Sequence, residues 1–203
     1  MNMESPVKTR PYLFDLHVHS SRSQDSDLAP GVAISRAREL GLRGMAITDH
    51  DRLTIIRPAP VDLVLVPGAE LSTEWGDLLA LGISELPGAD LSVPEMIVSI
   101  HSQGGVAVVP HPFSDAHYAM NERLFDVLDL IDGIEVTSPK TSVDNRRARQ
   151  VAAQNRKARV GGSDAHSLAD MGRGWTACDS PDVAGLLDAI RNARTQAFIG
   201  KRR

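Results

Sequence analysis

The chain has 203 residues, 42% of them hydrophobic and 24% charged, which suits one globular domain with a sizeable core. A formal charge of −4 excludes a non-specific nucleic-acid binder relying on a net basic surface, and a lone cysteine, Cys178, excludes an internal disulfide. No opening stretch joins basic residues to a long apolar run, so the expectation is a reducing, cytoplasmic protein with no membrane contact.

Residues 1–10 (MNMESPVKTR) lack periodicity and run into Pro11, so they are expected to be a flexible lead. YLFDLHV (12–18) reads as the first strand. The helix predicted over 30–41 places Val32, Ala33, Ala37 and Leu40 on one stripe and stops at Gly41. Strands follow at 44–48 and 62–70. DLLALGI (77–83) comes after a turn too short for a crossover helix and should be an antiparallel hairpin arm. Helix-patterned stretches at 92–104, 121–130, 143–157 and 182–194 then alternate with strands at 106–110, 133–136, 158–162 and 196–200, and KRR at 201–203 reads as a solvated tail. Alternating strands and helices imply βαβ units, and about seven of them exceed a small open sheet. The expected architecture is a small, irregular barrel in one domain spanning 1–203, with no repeat or linker.

In such a barrel the carboxyl ends of the strands build the active site. Those ends are rich in ligand-type residues: His17 and His19; Asp49, His50 and Asp51; Glu70; His111; Glu135; Asp164 and His166. A lone strand-end histidine is more often a satisfied polar residue than a ligand. Five of the seven histidines at such ends, each with a carboxylate nearby, point instead to a metal cluster. The side-chain period of two puts His17 and His19 on one face, and Asp164 and His166 likewise. Imidazoles mixed with carboxylates suit zinc, manganese or iron rather than calcium. Asp15 is expected on the histidine face, fixing a ring through its second nitrogen. His101 belongs to a helix and reads as surface, whereas His117, in the loop after His111, is within reach of the site.

The segments DLHVHSSRSQDS, GMAITDHD, PGAELST, VVPHP and GGSDAHS, in that order across residues 15–167, resemble the successive motifs of the PHP (polymerase and histidinol phosphatase) family. SDAHSLADMGRGWT together with ELSTEWGDLLALG resembles the stand-alone phosphoesterases of its branch with nucleotide and RNA-end phosphatases. The resemblance implies a distorted (β/α)7, TIM-like barrel with two or three divalent ions (Mn, Zn or Fe) at the carboxyl ends of the strands. It further implies that His17, His19, Glu70 and Asp164 hold one ion, that Glu70 bridges to a second on His111, and that Asp25, His50 and His166 hold a third. Many family members place another histidine shortly after the equivalent of Glu135. Residues 137–143 (TSPKTSV) contain none, so either Glu135 or water fills that position or the second site is weak, with His117 as an outside candidate.

The implied activity is hydrolysis of a small phosphoester, favouring a nucleotide or oligonucleotide phosphate, by metal-activated hydroxide and without a side-chain nucleophile. Glu70 and Asp164 would act at the reacting centre, and Arg22 and Arg173 would grip phosphate oxygens, with Lys140 and Arg146 as weaker candidates. Gly68, Gly161 and Gly162 would allow tight turns before the ligands. Trp75 and Trp175 are candidate stacking surfaces against the commoner role in packing. No stable duplex nucleic-acid binding is expected. Histidinol-phosphate phosphatase and a non-catalytic metal-binding interaction module are the alternatives. No GxxxxGK[ST], GxGxxG or CxxC motif competes, and no organic cofactor is implied.

Overall fold

A computed structural model describes residues 10–115, 118–139 and 143–200. Residues 1–9, the 201–203 tail, His117 and Lys140 lie outside these. One sheet of nine strands runs in the order β7-β6-β5-β4-β3-β2-β1-β8-β9. Its members are β1 (Tyr12–Val18), β2 (Gly44–Ile47), β3 (Val64–Thr73), β4 (Gly76–Leu81), β5 (Val106–Val109), β6 (Gly133–Thr137), β7 (Ala158–Gly161), β8 (Gly174–Cys178) and β9 (Gln196–Ile199). β1 pairs parallel with β2, and β2 with β3; β4 runs antiparallel to both β3 and β5, as its short turn predicts; β5, β6 and β7 are again parallel.

The sheet curls until its first and seventh strands meet. Val18 forms a parallel bridge with Ala165, just beyond β7, and the His19 amide donates to the Ala165 carbonyl at 2.9 Å. At the opposite end β8 inserts between the two, antiparallel to β1. There the Thr176 hydroxyl accepts from the Gly161 amide at 2.9 Å and faces its carbonyl at 2.8 Å, and Thr195 donates to the Arg159 carbonyl. The expected seven-stranded barrel is thus present, nearly closed, with the antiparallel β8–β9 pair filling its seam. β8 is absent from the strands predicted above, because GWTAC follows a glycine-flanked GRG and is too short for a clear apolar alternation.

Alternation along each strand sorts the core into an inside and an outside. Phe14, Leu16, Ala46, Val66, Leu79, Leu81, Val106, Val108, Ala158 and Val160 fill the barrel. Helix α5 (Val183–Arg191) joins the same cluster through Leu186, Leu187, Ala189 and Ile190 and plugs the amino end of the strands. The outer face packs on α2 (Val93–Ser102), α3 (Leu124–Val127) and α4 (Asn145–Gln154), and on α1 (Pro30–Glu39) at the other side. Within α1 the buried stripe is Ala33, Ile34 and Ala37; Val32, placed on the stripe from sequence, is 46% exposed. No described helix is long and apolar enough to cross a membrane.

A bulge shapes the ligand end of β1. Between the paired positions Asp15–Met45 and Val18–Ile47, two residues of β1, Leu16 and His17, face one on β2, Ala46, so the side-chain alternation breaks there. His17 and His19 turn into the barrel mouth and Asp15 does not follow. The glycines before the ligands serve close approach rather than a turn: none of Gly68, Gly161 and Gly162 has a positive φ. A Cβ on Gly162 would overlap that of His17, and one on Gly174 would overlap the Gly162 carbonyl. Gly174→Ala should therefore push β8 off the segment leading to Asp164, lowering stability by about 1–3 kcal/mol in a denaturant titration of the metal-free protein. An unchanged midpoint would mean that the seam is loosely packed.

Candidate metal centre

The barrel mouth gathers all nine residues expected as ligands within one polar cluster. At its middle Glu70, buried at the end of the barrel-facing run of β3, touches four imidazoles. Its Oε2 lies 3.0 Å from His19 Nε2, 3.2 Å from His17 Nε2 and 3.5 Å from His50 Nδ1, and its Oε1 lies 3.2 Å from His111 Nε2. The Nε2 atoms of His17 and His19 face each other at 3.1 Å, and Asp164 Oδ1 closes on them at 3.6 and 3.5 Å. Further out, Asp25 Oδ2 lies 2.8 Å from His166 Nε2 and 3.3 Å from His50 Nε2. Three sets of donor atoms are each compact enough to surround an ion: His17, His19 and Asp164; His17, Glu70 and His111; and His19, Asp25, His50 and His166.

Glu135 stands outside these sets. Its Oε1 is 3.3 Å from His17 Nδ1 and its Oε2 accepts the His111 amide at 2.9 Å, so one carboxylate fixes a ring on β1 and the backbone after β5. That is the support expected of Asp15, which instead accepts the Ser163 amide at 2.8 Å, the bulge having moved it off the histidine face. His111 and Asp164 have positive φ, +26° and +48°, turning their side chains back over the mouth. Aspartate tolerates that conformation through its short polar side chain; for histidine it is less common.

The electrostatics follow from this crowding. Burial opposes a charge on His17, yet Glu70, Asp164 and Glu135 hold its pKa well above the usual value. His111 is raised against its burial by Glu70 and Glu135. His19 moves down, driven by burial and by the neighbouring His17 and His166 against the pull of Glu70. Glu70 itself is held well below the carboxylate range, the histidines outweighing its burial. For Asp25, more open, burial is the largest single effect and raises the pKa, but Ser23, His166 and His19 together outweigh it and lower it.

A cleft of about 710 Å³ opens over the cluster, lined among others by Arg22, Asp25, His50, Arg52, Asp77 and Tyr118. Arg22 is where the sequence placed it. Arg173 pairs with Asp170 at 2.8 Å and Arg146 sits in the first turn of α4, its amide donating to the capping Asp144 carboxylate, and neither lines the cleft. Arg52, one residue past the DHD motif, is the cation that the sequence reading missed. Trp75 and Trp175 pack on the outer core, with the Arg123 guanidinium over the Trp75 ring, while Tyr118 is the exposed ring at the cleft. Asp77 was also missed: it opens β4, and only the antiparallel direction of that strand brings its amino end to the mouth. His101, predicted as surface, pairs with Asp132 on the outside of the barrel.

The family model described as PHP-associated matches residues 143–195. An uncharacterized protein of Methanocaldococcus jannaschii, MJ1587, is 34% identical over 139 residues, covering 60% of this chain and 79% of that protein. The 5'-3' exoribonuclease Rnm of Escherichia coli is 40% identical over 70 residues, 31% of this chain but 24% of the nuclease. Among solved structures, a two-domain Bacteroides vulgatus protein containing a predicted PHP-like metal-dependent phosphoesterase superposes with a TM-score of 0.78 at 19% identity. That match covers 94% of this chain and 65% of the other.

Glu135 offers a direct check on the geometry. Because its charge helps to raise His17, Glu135→Gln should lower the His17 pKa in the metal-free protein, read from ring C–H chemical shifts against pH. A His17 titration that does not move would separate Glu135 from the cluster.

Proposed function

The chain belongs to the PHP family of metal-dependent phosphoesterases, and on that premise we propose that it hydrolyses a phosphate ester of a nucleotide or short oligonucleotide end. The observation that carries this reading is one buried carboxylate, Glu70, in contact with four imidazoles. The residues fit a cation. Two Nε2 atoms 3.1 Å apart converge on the same carboxylate oxygen, and His19 Nδ1 is buried with no hydrogen-bond partner among the described residues. In this reading His17, His19, Glu70 and Asp164 hold one divalent ion, Glu70 and His111 share a second, and Asp25, His50 and His166 hold a third, the metal being manganese, zinc or iron.

Bound ions of this kind ionise a water near neutral pH and offset charge on phosphoryl oxygens. The chain does the rest. Glu135 keeps the His17 ring and the His111 backbone in place, so that lone pairs already point at the site. Arg22 and Arg52 line the cleft with no carboxylate partner among the described residues, and are placed to hold the outer oxygens of the phosphate. Tyr118, 80% exposed beside them, offers a face on which a base of any sequence can stack, an interaction of about 1–3 kcal/mol. The cleft has the volume of a small-molecule site, which favours a nucleotide or a single-stranded end over a duplex. The partial likeness to an exoribonuclease supports the nucleic-acid side of this choice.

The test is release of inorganic phosphate from 5'- and 3'-mononucleotides, a short 5'-phosphorylated RNA and histidinol phosphate by the metal-loaded protein. Nucleotide or RNA turnover that chelator abolishes is the expected result, and preference for histidinol phosphate or no turnover at all would overturn it. Nucleotides appearing from the RNA in place of phosphate would move the chemistry to the diester. Glu70→Gln should cut turnover more than about 100-fold, beyond the usual loss of a merely supporting partner. Arg52→Ala should raise KM for the preferred substrate more than it lowers kcat, and an unchanged KM would remove Arg52 from phosphate binding.

A further inference from the structure

The three proposed ion positions are unequal. The first has His17, His19, Glu70 and Asp164, and the third has Asp25, His50 and His166. The second, once His17 is assigned to the first, is left with Glu70 Oε1 and His111 Nε2, 3.2 Å apart. No histidine occurs in 137–143 to complete it, and Glu135, the obvious substitute, has its oxygens directed at His17 Nδ1 and the His111 amide.

On the other side of His111 stands Asp77. It is only 4% exposed, its Oδ2 lies 3.9 Å from His111 Nε2, and none of the hydrogen bonds among the described residues ends on its carboxylate. Donor atoms that share an ion at bond lengths of about 2.0–2.1 Å lie roughly 3.3 Å apart in a tetrahedron and up to about 4.2 Å across an octahedron. The Asp77–His111 separation falls within that span, as do the contacts of Asp164 with His17 and His19 at 3.6 and 3.5 Å.

The placement is built into the hairpin. Asp77 pairs with Ser72 across the β3–β4 ladder and shares the inner face of β4 with Leu79 and Leu81. Gly76 before it has φ +125°, and a Cβ there would come within 2.7 Å of the Met120 amide nitrogen. The Asp77 amide donates to the Tyr118 carbonyl at 2.9 Å, so residues 118–120 clamp the start of the strand. A buried carboxylate that accepts no hydrogen bond is costly unless a proton or a cation answers it. We propose that Asp77 is a ligand of the second ion, completing with Glu70 and His111 the position for which a histidine after Glu135 was expected. The inference rests on the metal-dependent reading above.

The experiment is metal content by native mass spectrometry, with the manganese-loaded protein also examined by electron paramagnetic resonance for a spin-coupled pair. The wild type should carry at least two ions and show the coupled signal. Asp77→Asn should lose one ion, bind it at least tenfold more weakly on titration, and lose the coupling, whereas Asp25→Asn should lose an ion and keep the coupling. Asp77→His, which restores a donor of the expected type, should recover both the ion and the signal. It serves as the second variant if the asparagine form does not fold by circular dichroism. Full stoichiometry with intact coupling in Asp77→Asn, or no recovery in Asp77→His, would overturn the assignment of Asp77 while leaving the phosphoesterase reading standing. A wild type that binds no ion would overturn both.

Discussion

Glu70 is the constraint around which the structure is arranged. A carboxylate buried to 1% exposure carries a large desolvation cost, and nothing apolar nearby could offset it. It is tolerated because four imidazoles from β1, the turn after β2 and the turn after β5 converge on its two oxygens. Those imidazoles could not be brought together by one helix or one hairpin. They need strands whose ends meet at a point, which is what a closed barrel supplies. The apolar interior below, from Phe14 and Leu16 to Val160, and the α5 plug at its floor hold that geometry rigid.

Two local irregularities then do what regular strands cannot. The β1 bulge turns His17 and His19 inward after Phe14 and Leu16 have already filled the same side. The left-handed residues His111 and Asp164 bend the chain at the ends of β5 and β7 so that their side chains return over the mouth. Each irregularity is stabilised by its neighbours: the His111 amide by Glu135, and the Asp164 segment by the Val18–Ala165 bridge and the glycine contact between 162 and 174. Ligand placement and barrel closure are therefore one problem. The residues that complete the barrel between β1 and β7 are immediate neighbours of the residues that make the cluster.

This explains which parts of the protein could be read in advance. Strand positions, the antiparallel arm at 77–83 and the convergence of five histidines follow from apolar runs and from the rule that strand ends build the site. The β8 strand did not, because GWTAC has its place only as the seam between β1 and β9, a contact far apart in sequence. Asp15 was misplaced because a period of two is assumed to continue through a bulge that leaves no mark in DLHVH. Asp77 lay in a predicted strand, but at its amino end, where a parallel-barrel rule looks away from the site. Its signal was present in the hairpin prediction itself, since an antiparallel arm presents its opposite end. Arg52 and Tyr118 sit on loops, where the sequence carries no period and only the fold decides what faces the cleft.

Charge decides how such a pocket could receive a phosphate. Five carboxylates, Asp25, Glu70, Asp77, Glu135 and Asp164, lie among the imidazoles at the barrel mouth, on a chain that is already negative overall. Without cations this site repels an anion. Two divalent ions would leave it one charge negative and three would make it one charge positive, with neutral histidines in both cases. Arg22 and Arg52 at the rim add two positive charges in either state, and Asp51 beside them takes one away. With two ions the arginines are what would bring the cleft to neutrality, so phosphate capture would depend on them; with three the inner cluster would attract by itself and the arginines would chiefly orient. In the proposed reading, the balance between an ion held by Asp25, His50 and His166, the most exposed of the three positions, and the rim arginines would set whether this cleft draws in a phosphate before or only after it is fully loaded.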